Sequence, residues 1–297
     1  MPLPETTKAS AQFIDRDFQS DSTGNYRLSI QLRLNGFSFA QIDRISKKVL
    51  SIEDFHVPLM LGEESVYQNE KVNLRLEKVL NEKQLNLQLF KSVHFVFDNP
   101  FFVLLPSLLM DANSSLDYLK QIHQIPENFI VKSDELRFLE ATNVYALYAP
   151  LYYNLADYFP RFTLKHASSV FIQQMALSQK MRKGTSVFVE VGDLTMHILV
   201  FKDEKLEFSN TFAFKEKEDF IYFILLVYNQ LNLNPESTPL YFSGQIDRSS
   251  PLYAIAYQYI GVLDFIDINA SGLVFGKEIP ETVGLKYTLL TQAVLCE

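Results

Sequence analysis

Residues 186–214 read SVFVEVGDLTMHILVFKDEKLEFSNTFAF. Val187, Val189 and Val191 alternate with Phe188 and Glu190, the period-two pattern of a strand. A turn follows at 192–195, MHILVF returns, Lys202–Lys205 turn again, and LEFSNTFAF makes a third strand. So short a span of three strands describes an antiparallel meander. A helix comes next, with Phe220, Phe223, Ile224, Val227, Tyr228 and Leu231 on one broad face. Glu216, Glu218 and Asp219 lie in its first turn, where the helix dipole favours negative charge. LYFSG (240–244) reads as a short buried strand, 249–260 as a helix and VLDFID (262–267) as another strand.

The same order appears about half a chain earlier. In YRLSIQLRL (26–34), Leu28, Ile30, Leu32 and Leu34 face one way and Ser29, Gln31 and Arg33 the other. Asn35-Gly36 supplies hairpin chemistry, because both residues tolerate positive φ. FSFAQID (37–43) returns and VLSIEDF (49–55) makes the third strand. A helix over Glu70–Leu80, striped by Val72, Leu76 and Val79, precedes the strand VHFVF (93–97). Meander, helix and strand thus occur twice, which favours a duplicated unit.

This predicts an α/β protein of two similar domains, 25–183 and 184–297, preceded by a polar, mobile arm over 1–24. The first domain carries an insert. FFVLLP (101–106) is strand-like, and a helix near 115–122 has Ser114 and Asp117 at capping-box spacing. Two strands near 135–140 and 143–149 follow, then a short helix opened by Pro150 and closed by Pro160. Ser168–Lys180 has the period of a further helix.

Composition narrows the function. The chain has 297 residues, 47% of them apolar, with 25 Phe, 15 Tyr and no Trp, enough for large cores. A formal net charge of −8 argues against nucleic-acid binding, which needs clustered Lys and Arg. The one dense basic group, Lys180, Arg182 and Lys183, reads as a solvated linker. Cys296 stands alone, so one chain can build neither a disulfide nor a thiolate metal site. MPLPETTKASAQ shows no secretory signal, and the apolar run at 223–228 is too short to span a bilayer. Asn113-Ser114-Ser115 and Asn269-Ala270-Ser271 match the glycosylation pattern by accident if the protein stays inside the cell, and a cytoplasmic protein is the simplest reading.

The repeated order resembles the duplicated ribonuclease H-like unit of the actin, sugar-kinase and heat-shock-chaperone superfamily. Residues 186–214, with the helix and LYFSG after them, resemble the second half of pilus and type II secretion assembly proteins with that actin-like ATPase fold. More closely, the chain after residue 24 is similar to a bacterial family of unknown function. Tyr26, Leu28-Ser29-Ile30, Gly36-Phe37-Ser38-Phe39 and the ending LLTQAVLCE carry that likeness. The superfamily implies two domains around a cleft, with Mg-ATP held by two hairpin turns, an acidic residue for the metal and a glycine-rich adenosine loop.

On this resemblance the first hairpin's aspartate would fall near Gln31 or Arg33, neither of which binds a cation. The second turn keeps more: Glu190 stands where the superfamily has Asp, Gly192 makes the turn, and Asp193 and Thr195 add oxygens. Ser243-Gly244-Gln245 corresponds to the adenosine loop, with Gln245 where a second glycine is expected. The same residues also describe an ordinary hairpin. Only 10 glycines occur, none adjacent or one residue apart, and no P-loop, G-x-S-x-G or H-E-x-x-H is present. The histidines at 56, 94, 123, 166 and 197 show no ligand spacing, and His197 reads as core or surface.

The resulting expectation is a non-catalytic actin-like scaffold or assembly partner with an eroded nucleotide site, no required cofactor and an unidentified protein partner. A homodimer is left open, with Phe101, Phe102, Tyr152 and Tyr153 as interface candidates whose default role is core packing. The rival is a divergent Mg-ATP enzyme using Glu190, Asp193 and Gly244. A nuclease ranks last, because the first strand offers no carboxylate.

Overall fold

The computed structural model describes residues 8–58, 65–85, 89–180 and 182–296. The chain divides into two units, one of Met1–Val170, Leu273–Ile279 and Leu289–Glu297, the other of Phe171–Gly272 and Pro280–Thr288.

The first unit contains β1 (Ala11–Ile14), β2 (Tyr26–Arg33), β3 (Gly36–Asp43), β4 (Val49–His56), α1 (Ser65–Lys83) and β5 (Ser92–Asp98). There follow β6 (Phe102–Pro106), α2 (Ser115–Lys120), β7 (Phe129–Leu136), β8 (Ala141–Tyr148), α3 (Ala149–Tyr158) and β9 (Thr163–His166). Its main sheet has the order β1-β4-β3-β2-β5-β9, with β2–β3–β4 an antiparallel meander and β5 parallel to β2. Leu28, Ile30, Leu32, Phe37, Phe39 and Phe55 cover one face and pack with Val72, Leu76, Val79 and Leu80 of α1. The period-3.6 stripe of α1 therefore meets the period-two stripe of the sheet, burying both.

In the second unit, α4 (Ala167–Gln179), whose first turn belongs to the first unit, leads into β10 (Thr185–Val191), β11 (Thr195–Lys202) and β12 (Lys205–Ala213). α5 (Lys217–Gln230), β13 (Leu240–Gly244), α6 (Pro251–Ala256), β14 (Leu263–Phe265) and α7 (Glu281–Lys286) complete this unit, and α8 (Thr288–Gln292) belongs from Leu289 onward to the first. The order β12-β11-β10-β13-β14 repeats the plan of the first unit: an antiparallel meander, then a parallel strand beside its first member. Val187, Val189, Val191, Met196, Ile198 and Val200 pack against Phe220, Ile224 and Val227 of α5. Glu216 and Asp219 close a capping box at the start of that helix.

Several details depart from the sequence reading. Residues 11–14 are not part of a mobile arm. They form β1, which pairs with β4 in the register Ala11↔Asp54 to Ile14↔Ser51. Backbone hydrogen bonds hold an edge strand of this kind, and four residues, AQFI, are too few for a period-two pattern to stand out. The two units meet in sequence at Val170/Phe171 rather than 183/184. The ring of Phe171 lies 5.5 Å from that of His197, which places the second part of α4 with the second unit. Arg182 is not simply solvated, since its guanidinium stacks 4.1 Å over Tyr241. Asn35 does not take positive φ, whereas Gly36 does, at 143°.

The insert is a three-stranded sheet, β6-β8-β7. Its hairpin turns at Arg137–Leu139, where strand had been expected, with Glu140 left-handed at φ 49°. Phe138 mimics a strand residue yet is 78% exposed at that tip. Ser114 makes no cap; Asp111 accepts from Asn113 N–H one turn earlier. Phe101 and Phe102 serve the insert, the first against Phe129 and His123, the second against His166, while Tyr153 is 57% exposed. Asp134 ties the insert to β9, accepting from His166 N–H at 2.9 Å and Tyr145 Oη at 3.3 Å, and its burial raises its pKa. Arg27 reaches the returning C-terminal segment, donating to Val294 C=O at 2.9 Å. No helix among the described residues is long and apolar enough to cross a membrane.

Gly36 holds the first meander. A Cβ placed there would lie 2.0 Å from the carbonyl oxygen of Phe55, and the backbone itself is at positive φ. Gly36→Ala is expected to lower stability by on the order of 3 kcal/mol or more, as read by urea titration. A change below about 1 kcal/mol would mean that β3 and β4 can separate at this point without cost.

Candidate functional site

The five residues singled out at 190–195 and 244 fall in the second unit. β10 and β13 run parallel and end side by side, with Glu190 opposite Ser243 and Val191 opposite Gly244. The tight turn from β10 to β11 brings Gly192 N–H to Thr195 C=O at 2.8 Å. Glu190, Gly192, Thr195 and Gly244 therefore lie close together at the carboxyl ends of the strands. Asp193 is exposed at the tip of the turn.

Glu190 is only 9% exposed, and its carboxylate accepts a short hydrogen bond from Ser243 Oγ. Across the sheet its register partner is His197, which is 8% exposed and whose Nε2 lies 2.9 Å from Ser209 Oγ. Burial pushes the His197 pKa down to about 3, so the ring is neutral at ordinary pH. This face of the sheet, with Phe188, Leu199 and Phe201 fully buried, is a second packed layer rather than an open surface. Alternation of polar and apolar residues could not show that, because a carboxylate and an imidazole usually mark the solvent side.

The conformationally demanding glycine is Gly244, not Gly192. Gly244 has φ 88°, and a Cβ there would lie 2.2 Å from Val191 O and 2.8 Å from Glu190 Oε1. Gly192 takes no positive φ, and a Cβ there would meet Thr195 O at 3.1 Å. The room that Gly244 leaves is thus filled by the protein's own backbone and by Glu190. Beyond it, Gln245 N–H donates to Val191 C=O at 2.6 Å, closing the corner. Arg248 stacks over Tyr253 and Phe265, at 5.7 and 5.5 Å, and pairs with Asp264 at 2.9 Å.

The equivalent hairpin of the first unit carries a charge pair that the sequence pattern did not reveal. Arg33 Nη2 lies 2.6 Å from Asp54 Oδ1, with side chains 13% and 15% exposed, and Arg33 Nη1 donates to Ser38 Oγ at 2.8 Å. Gln31 Nε2 donates to Asp98 Oδ2 at 3.0 Å. The register Ser38↔Asp54 contains the signal, since it sets both beside Arg33 on one face, but it is readable only once the strands are aligned. A cavity of about 60 Å³ beside this cluster, bordered by Leu34, Phe97, Phe101, Phe129 and Tyr148, has room for about two waters.

Mg-ATP fits these residues poorly. The first hairpin presents a cation where a phosphate-facing turn needs metal-holding acid, and the Glu190 carboxylate is turned to Ser243. Among the described residues, no group of three or more His, Cys, Asp or Glu side chains is placed to hold a metal ion.

Comparison with known proteins supports the architecture. Residues 15–262 match the family described as protein of unknown function, DUF3822. A Bacteroides thetaiotaomicron protein with actin-like ATPase fold and unknown function superposes with TM-score 0.72 at 21% identity, covering 84% of this chain and 94% of that one. The PilM-PilN type IV pilus biogenesis complex superposes with TM-score 0.56 at 10% identity, covering 91% and 98%. No curated protein matches the chain. These likenesses establish an actin-like ATPase fold.

Two outcomes follow from the geometry. Gly244→Ala should destabilise by about 2–3 kcal/mol, clearly more than Gly192→Ala, when both are compared by thermal and urea melts. His197 should make stability fall as pH falls from its ordinary 6.5 towards about 3, because only the unfolded chain takes up the proton in that window. Between pH 6.5 and 5 the loss is about 2 kcal/mol, and His197→Gln should remove that slope. An unchanged slope in the variant would mean that the ring is charged in the folded protein.

Proposed function

The chain belongs to the DUF3822 family of proteins of unknown function, and from that premise we propose that it is a non-catalytic scaffold or assembly partner built on the actin-like ATPase fold. The Arg33–Asp54 pair carries this reading. It puts a neutralised cation in the hairpin where the superfamily keeps an acid, and losing either partner would strand the other in a largely dry site. The likeness to a pilus biogenesis complex supports a role exercised through a protein partner rather than through turnover. On this reading the protein works in the cytoplasm, and its cofactor loops persist as structural corners.

The rival reading is Mg-ATP binding through Glu190, Asp193 and Gly244. A ligand at 100 times its Kd adds about 2.7 kcal/mol to folding, which a thermal melt resolves easily. The scaffold reading expects no shift of Tm in millimolar Mg-ATP; a saturable rise would replace it with the enzyme reading.

Asp193→Ala separates the two without ligand. In a plain hairpin it should cost about 1 kcal/mol or less. If the turn is a phosphate site, removing one of two neighbouring acids should instead raise the stability of the free protein.

A further inference from the structure

Away from both hairpins, the start of α4 holds a buried polar cluster that a scaffold role does not by itself require. His166 ends β9 and stands immediately before Ala167, the first residue of α4. It is 1% exposed, and Ser168, Ser169 and Asn143 around it are buried as well. Two aromatics of the insert flank its ring, Phe102 of β6 at 4.9 Å and Tyr145 of β8 at 5.0 Å between centroids. One side chain therefore joins the main sheet, the insert and the helix.

Backbone partners settle where the ring carries its hydrogen. Nε2 lies 3.1 Å from Asn99 C=O, and a carbonyl only accepts, so the hydrogen is on Nε2. Nδ1 accepts from Ser168 N–H at 3.1 Å and lies 2.6 Å from Ser168 Oγ. That hydroxyl accepts from Asn143 Nδ2 at 2.9 Å, which leaves its own hydrogen for Nδ1. The imidazole thus does what a Ser or Asp oxygen does at other helix starts, satisfying an N–H that has no partner within the helix. A proton on Nδ1 would face Ser168 N–H and deprive it of its acceptor. It would also set positive charge at the positive end of the helix dipole.

Several charged or titratable groups surround this cluster. Asp134 of β7 accepts the backbone N–H of His166 at 2.9 Å, and Lys165 of β9 lies 3.9 Å from Asp134. Burial raises the Asp134 pKa, so acid favours the folded form there, the opposite sign to a lost histidine cap. Burial also raises the Tyr145 pKa, which keeps that phenol neutral. Beyond it lie Tyr152 of α3 and Lys132 of β7, whose ammonium sits 4.7 Å over the Tyr152 ring. Asp98, beside Asn99, accepts from Gln31.

We propose that His166 is an acid-sensitive clasp: the neutral ring caps α4 and seats the insert on β9, and the protonated ring releases both. The opened ring takes up a proton at the ordinary histidine value of about 6.5, so below it each pH unit favours opening about tenfold. Nothing in the clasp depends on whether the hairpins bind nucleotide.

Hydrogen exchange of the full chain from about pH 7 to about pH 5, corrected for the intrinsic pH dependence of amide exchange, tests it. The opening constant at residues 168–171 is expected to exceed that of β2 in the same unit and to rise about tenfold per pH unit below about 6.5. His166→Asn keeps an acceptor at the head of α4 and removes the titration, so the rise at 168–171 should vanish. Asp134 is common to both chains, and their difference reads the ring. Nitrogen NMR of the histidine rings in the unaltered chain gives a second readout that needs no variant. It should show His166 with a bare Nδ1 and a protonated Nε2 throughout this pH range. A folded chain whose His166 ring becomes doubly protonated there overturns the proposal. So does an opening constant that is flat with pH or no larger than that of β2, or a rise that persists in folded His166→Asn.

Discussion

Close approach of backbone to backbone at Gly36 and Gly244 is the constraint on which both units depend. At each glycine a methyl group would fall within about 2 Å of a carbonyl oxygen, Phe55 O in one case and Val191 O in the other. Such contacts set how strands meet at the ends of the two sheets, and side-chain positions follow. Gly36 begins β3 in the register that brings Ser38 opposite Asp54, within reach of Arg33. Gly244 ends β13 in the register that seats Ser243 against Glu190. Glycine here serves the chain's own packing, although the same residue type elsewhere lets a backbone reach a phosphate.

Charge follows the same logic. Charged and polar side chains taken out of water persist only where partners satisfy them. Arg33 has Asp54, and Glu190 has the Ser243 hydroxyl. Lys48 bridges the buried Asp15 and the exposed Asp17, at 2.7 Å from each. The returning segment is fastened beside it, Val49 N–H donating to Val274 C=O at 2.9 Å and Val274 N–H to Lys47 C=O at 3.0 Å. Groups already committed in this way are costly to redirect to a ligand. That cost is the physical basis for reading the hairpins as structural and for seeking function on the surface.

Duplication makes the exceptions informative. Two units with the same strand order face the same edge problem, since an outer strand leaves one side of its backbone unpaired. The first unit solves it with a strand of four residues from the N-terminal region. β12 has an irregular start, a charged first half and a side chain folded onto one N–H, which are protective devices rather than cover.

The sequence by itself determined the element types, the repeated meander–helix–strand order and the layer that faces α1 and α5, because period-two and period-3.6 apolar patterns are local and strong. It also marked Glu190, Gly192 and Gly244 as a group worth locating. It could not determine the second buried face, on which Ser29, Gln31, Ser38, Glu190 and His197 are covered despite their polarity. Nor could it identify β1 and β9, whose short strands are held by backbone pairing, or the Arg33–Asp54 pair, whose members lie 21 residues apart. Those features depend on strand alignment and on what later segments lay over the sheet. Tertiary structure alone decided them, because hydrogen bonds between strands and desolvation of polar groups are properties of the assembled sheet.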